Sequence, residues 1–264
     1  MNYSLEHEKY LKSIRKKKKL ITLSQWSVLI ILLLVWELLA STGVIDAFIF
    51  SSPSRIASTL VNLWSNSNLL THMAVTLYET VLGFLIATVV GTLVAIGLWW
   101  CETLRRVFEP YLVVLNSLPK VALGPIIIIW AGAGTKAIVT MAVLICIIIT
   151  TINMLNGFVE VDKDKILLMR TLGANKWQIL TKLILPANVG TLLATLKINV
   201  GLSWVGSIMG EYLVSKAGLG YLIVYGGQIF KLDLVMTSTV VLCVLAGLMY
   251  FAVAYLEKKL TQKK

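Results

Sequence analysis

VEVDKDKILLMRTLGANKWQILTKLILPANVGTLLATLKINVGLSWVGSIMGEY, Val159 to Tyr212, begins as a polar, basic insert and ends as an apolar span. Ile166, Leu167, Met169 and Arg170 precede Gly173 with helical periodicity, and Trp177, Ile179 and Leu180 follow it. Gly173-Ala174-Asn175 breaks that pattern, because glycine turns the backbone where other residues resist. Pro186 marks the return toward the next apolar run. The expected element is a short helix, a tight turn and a second helix lying across a membrane surface. Periodicity alone leaves two readings open. One is an ordinary basic loop with interfacial helices; the other is a rigid lever that tilts its flanking spans when a partner moves the turn.

The rest of the chain supplies the membrane. Of 264 residues, 58% are hydrophobic and 14% charged, and mean hydropathy is +0.84. A soluble domain carries about 25% charged residues. Several runs reach the roughly 20 apolar residues that a helix needs to cross a bilayer. Strand-like alternation is absent, so the expected class is all-α, a polytopic helical membrane protein. Six spans are expected, near 25–43, 70–100, 110–131, 136–158, 190–213 and 234–256. The third is expected to be kinked or split by Pro119 and Gly124-Pro125, and closed by the AGAGT turn at Ala131 to Thr135. Pro53 is placed to start a short amphipathic helix, and Cys101 to Glu109 reads as a short polar turn. The organisation is thus a basic segment over 1–23, a spanning domain over 24–257 carrying the 158–190 loop, and a tail over 258–264. The first 23 residues do not fit a cleavable signal peptide. Their charged region and the apolar run after it are long, and no small-x-small site follows.

Net charge is +11, which in a soluble chain suggests nucleic acid. Here the cations have a better account. Eighteen Lys and Arg fall on the side of the two termini, the 101–109 segment and the insert; four, Arg55, Lys136, Lys216 and Lys231, fall on the other. That asymmetry places both termini and the insert in the cytoplasm. Arg15 to Lys19, just before the first span, serve anchoring at the bilayer rather than nucleic-acid binding. Cys101, Cys146 and Cys243 are far apart, and His7 and His72 have no ligand-like spacing, so no metal site and no catalytic cluster is expected.

Gly173, nine residues, then Leu183, Ile184, Leu185 and Pro186 resembles the cytoplasmic loop of ABC-importer permeases, E-A-A-x3-G-x9-I-x-L-P. GLSWVGSIMGEYLVSKAGLGYLI, Gly201 to Ile223, and LPKVALGPIIIIWAGAGTK, Leu118 to Lys136, look like permeases of the sulfonate, nitrate and taurine class. The resemblance covers roughly residues 50–256. It implies a type I ABC-importer permease fold in a bacterial cell membrane. It also implies a working unit of two permease copies, two ATPase copies and an extracytoplasmic substrate-binding protein. The ATPase-coupling residues it implies are Leu167, Leu168, Met169, Arg170, Gly173, Ala174, Leu185 and Pro186. One departure stands out. The motif's E-A-A falls on Leu167, Leu168 and Met169, so the acidic residue is missing and apolar packing is expected in its place.

No GxxxxGK[ST] loop occurs, so the chain itself should bind no ATP or other cofactor; AGAGTK lacks the spacing. Among intramembrane polar residues, which commonly face a pathway or a bundle interior, Asn116, Lys120 and Ser203 are the pathway candidates. Lys120 suits an anionic solute; the overall expectation is a small anionic or zwitterionic one. Glu211 is expected to cap a helix or pair with Lys216, and Lys197 to reach for the membrane surface. Glycines 83, 91, 97, 201, 206 and 210 are expected to bring helices close. The rival function is an ion-coupled secondary transporter. Such carriers often show internal repeats and paired intramembrane carboxylates, and the sequence displays neither pattern. A membrane-embedded enzyme would need a catalytic cluster.

Overall fold

The computed structural model describes residues 5–66 and 69–261. Among them the chain is helical throughout its regular structure. Helix α1 (Leu5–Ser41) leads through the four-residue α2 (Ala47–Phe50) and the amphipathic α3 (Pro53–Asn66) to α4 (Leu69–Trp100). Next come α5 (Glu102–Ser117), a 3-10 turn over Lys120–Leu123, and α6 (Gly124–Ala131). Helix α7 (Thr135–Glu160) runs into the insert, which holds α8 (Lys163–Thr171), α9 (Lys176–Ile179), a π-helical stretch over Leu180–Ile184 and α10 (Leu185–Ala187). Helices α11 (Val189–Val214), α12 (Leu219–Gln228) and α13 (Leu232–Thr261) complete the chain.

Among the described residues, five helices, α1, α4, α7, α11 and α13, are long and apolar enough to cross a membrane. The α5–α6 pair, bent by 87° at its break, passes the same test as a pair and brings the candidate spans to six if it crosses as one. Pro119 and Pro125 cannot donate amide hydrogen bonds, so the α-ladder stops on both sides of the 3-10 turn. The expected break is present, as is the helix start at Pro53. Gly132 ends α6 with φ +79°, and Gly134 leads into α7 with φ +125°.

One expectation needs correction. Cys101 to Glu109 is no turn: α5 starts at Glu102, one residue after α4 ends. Glu102 lies at the positive end of the α5 dipole and pairs with Arg106 at 2.7 Å, an i,i+4 contact that favours helix. Between the last two spans, the glycine-containing 214–233 segment holds the short helix α12. Helix α1 runs without interruption from the basic segment into the first span.

The bundle is centred on α7, which packs between α4 and α11. Ala142 of α7 sits where both neighbours carry glycine. A Cβ on Gly83 of α4 would lie 2.6 Å from Ala142 Cβ, and one on Gly206 of α11 would lie 2.5 Å from Ala142 Cα. Small residues let apolar helices approach to backbone contact, which supplies dispersion where lipid offers no hydrophobic drive. Gly91 and Gly210 make similar approaches; Gly97 and Gly201 have no atom of the described residues within 4 Å of a built Cβ. Asn199 of α11 donates to Thr150 of α7 at 2.7 Å and to Thr88 of α4 at 3.3 Å, binding the same three helices through polar contacts.

Chain direction gives the bundle two ends. The insert and the starts of α1 and α5 lie at one, the loop end. Helices α3 and α12 lie at the other, the far end. There the first amides of α12 are all held. Gly218 donates to His72 Nδ1 at 2.9 Å, Leu219 to Thr76 Oγ1 at 2.8 Å, and Gly220 to Glu211 Oε2 at 2.5 Å. Glu211 therefore caps a helix, the first of its two expected roles. Also at the far end, Arg55 of α3 bonds Asp233 of α13 at 2.6 Å. At the loop end Lys197 of α11 pairs with Glu257 of α13 rather than reaching out alone.

Candidate functional site

Helix α8 starts on Asp162, whose side chain accepts from the Asp164 amide at 2.9 Å. It stops on a glycine turn. Ala174 N donates to Met169 O, and Gly173 N to Arg170 O, both at 2.9 Å. Those two bonds, with Gly173 at φ +79°, form a Schellman motif. Helix α9 starts two residues later on a reciprocal capping box. Gln178 N donates to Asn175 Oδ1 at 2.8 Å, and Asn175 N to Gln178 Oε1 at 2.9 Å. The turn is therefore specified on both sides, and only four residues, Leu172 to Asn175, separate α8 from α9. Ahead of Pro186, which has no amide to continue the α-ladder, the backbone widens into the π stretch.

This insert has an inner and an outer face. Ile179, Leu180 and Ile184 are buried in a cluster with Ala95 and Leu98 of α4 and Met154, Leu155 and Phe158 of α7. Met169, Ala174 and Leu185 pack on the same cluster. The outer face carries Leu167, Leu168, Leu172 and Trp177, which are 59%, 58%, 73% and 61% exposed. Arg170, Gly173 and Pro186 are also on the outside. Eight residues were expected to act together here, and they divide: Leu167, Leu168, Arg170, Gly173 and Pro186 are presented outward, while Met169, Ala174 and Leu185 hold the insert to the bundle. Leu172 and Trp177 were not among the expected set. Leu172 stands four residues after Leu168, on the same helical face, and that spacing is the signal that marks it.

Lys176, at the start of α9, reaches the end of α4. Its Nζ donates to the carbonyl oxygen of Trp100. The same ammonium lies 5.3 Å from the Trp100 ring centroid and 5.9 Å from that of Trp99. Trp177 packs against Trp100 with centroids 6.3 Å apart.

The pathway candidates are placed differently from one another. Lys120 Nζ donates to Asn116 O at 3.2 Å, so these two meet across the break between α5 and the 3-10 turn. Asn116 is exposed and Lys120 half-buried. Ser203 is fully buried in α11, and its hydroxyl donates to Val200 O at 2.9 Å. It offers a solute no surface in this arrangement.

Residues 87–262 match the family model described as the binding-protein-dependent transport system inner membrane component. The chain is 26% identical over 230 residues to the putative aliphatic sulfonates transport permease protein SsuC of Bacillus subtilis, covering 87% of this chain and 83% of that one. It is 25% identical over 260 residues to the taurine transport system permease protein TauC of Escherichia coli, covering 97% and 94%. Its fold matches a chain of a bacterial ABC transporter involved in the import of the acidic polysaccharide alginate. That match has a TM-score of 0.67 at 14% identity, over 96% of this chain and 99% of the other.

Proposed function

Because the chain belongs to the binding-protein-dependent transport system inner membrane components, and is the permease subunit of an ABC importer for small solutes, we propose that its α8–Gly173–α9 element is the lever by which a separate ATPase subunit moves the spans. The observation that carries this is the two-faced insert. Four large apolar side chains are displayed outward on an element whose other face is locked into the bundle core. An exposed apolar patch on a rigid support marks a partner site.

In this reading ATP is bound and hydrolysed by the partner, and this chain supplies no catalytic residue and holds no cofactor. A second copy of the permease completes the path. Asn116 and Lys120 line it; Lys120 and the taurine and sulfonate relatives support a small anionic or zwitterionic solute. The extracytoplasmic binding protein delivers that solute at the far end, and both termini and the insert face the cytoplasm. Charge supports the orientation: eighteen cations on the loop side stand against four on the other. Labelling tests it. In a protein lacking Cys101, Cys146 and Cys243, a membrane-impermeant maleimide added outside intact cells is expected to modify Arg55→Cys and Lys216→Cys but not Lys176→Cys. Modification at position 176 alone would reverse the orientation.

A further inference from the structure

The ends of α4 are held in two different ways. At the loop end, the last carbonyls of the helix have no intrahelical donor, and they form the negative end of its dipole. The Lys176 ammonium fills that position: it bonds Trp100 O and lies against the rings of Trp99 and Trp100. At the far end, His72 and Thr76 of the same helix accept the Gly218 and Leu219 amides of α12. Between these points α4 is one unbroken helix of 32 residues, about 48 Å long at 1.5 Å per residue.

We propose that Lys176 is a positioning residue that locks the coupling turn to the end of α4, so that α4 carries movement of the turn across the bundle to α12. The inference rests on the lever reading above and extends it. The insert is joined covalently to α7 and α11 only; its link to α4 must be made by side chains. Ile179, Leu180 and Ile184 pack on Ala95 and Leu98, but apolar contact is non-directional and lets helices slide along one another. A charged donor on a carbonyl is directional, and it fixes the terminus of α4 to the turn itself, whereas the Asn199 bonds hold the middle of α4 to α7 and α11. An approach of the partner to the turn then displaces α4 along with α7 and α11. The far-end bonds pass that displacement to α12, on the face where solute is delivered.

The test uses the whole complex of permease, ATPase and binding protein in nanodiscs. Hydrolysis of MgATP is read with and without saturating binding protein, beside co-purification of the ATPase. Lys176→Met is expected to keep its ATPase and its basal hydrolysis, while stimulation by the binding protein falls about fivefold or more, the lower range of coupling between distant sites. Lys176→Arg keeps the cation and the ring contact, and is expected to restore stimulation to within about twofold of wild type. Unchanged stimulation in Lys176→Met would overturn the proposal. So would loss of the ATPase from that variant, which would make Lys176 part of the docking surface. A Trp99→Leu, Trp100→Leu double variant removes the two rings that hold the Lys176 ammonium over the Trp100 carbonyl, and so loosens the lock without touching Lys176. Reduced stimulation there supports the lock and undiminished stimulation contradicts it, even if Lys176→Met fails to accumulate. Failure of the lever reading itself shows elsewhere, as retention of the ATPase by Leu168→Asp.

Discussion

Gly173→Val permease is expected to reach the membrane at near wild-type level and to lose most of its coupled ATP hydrolysis. Gly173 has φ +79° and no atom within 4 Å of a built Cβ, so the cost is not a clash. It is the backbone conformation itself, which a β-branched residue adopts at about 1–3 kcal/mol. The turn can carry that strain or open. Opening breaks the Ala174–Met169 and Gly173–Arg170 bonds and separates α8 from α9. Since about 1.4 kcal/mol is a factor of ten, binding-protein-stimulated hydrolysis is expected to fall roughly tenfold. Gly173→Asn tolerates the left-handed conformation and should retain most of it. Full stimulation in a well-expressed Gly173→Val complex would show that the turn's geometry does not matter.

The ATPase is expected to stay bound to wild-type permease in high salt and to be lost from Leu168→Asp in any salt. Motif glutamate is absent, and leucines 167 and 168 are both displayed. Fully burying such a side chain contributes about 1.5–3 kcal/mol. An exposed ion pair contributes about 0–1 kcal/mol and is screened by salt. Leu168→Asp sets an unpaired carboxylate in the contact, which costs several-fold more than the leucine contributed. Met169→Asp should act otherwise. Met169 packs on the inner cluster beside Ile166 and Ala174, so its replacement should lower the amount of folded permease rather than strip it of ATPase. Co-purification from detergent at low and high salt separates these outcomes. Wild-type dissociation by salt with Leu168→Asp still assembled would mean that charge holds the interface.

Much of this is legible in the sequence. Long apolar runs place the spans, and Pro119 with Gly124-Pro125 breaks the third, because these residues act through local backbone chemistry. The Gly173 turn is legible for the same reason. What was missed depends on neighbours in space. Charges at Glu102, Arg105 and Arg106 suggested a turn, yet they occupy the first two turns of a helix and pair along it. Whether Met169 or Leu168 faces inward depends on where α4 and α7 pass, which no local pattern states. Lys176 and Trp100 lie 76 residues apart, so their contact has no sequence signature. Likewise Glu211 was placed near a helix end by its position, but its partner became visible only once α12 was known to start at Leu219. Of the six glycines expected at close contacts, Gly83, Gly91, Gly206 and Gly210 meet a neighbouring helix within the chain, and Gly97 and Gly201 lie on faces that do not.

The most direct test of the lever is contact at its tip. Leu172 is the most exposed of the four outward side chains and lies next to the turn. In permease lacking Cys101, Cys146 and Cys243, Leu172→Cys carrying a short photoactivated cross-linker should join to the ATPase subunit in intact membranes, and Lys216→Cys at the far end should not. Cross-linking from position 216 with none from position 172 would contradict the account.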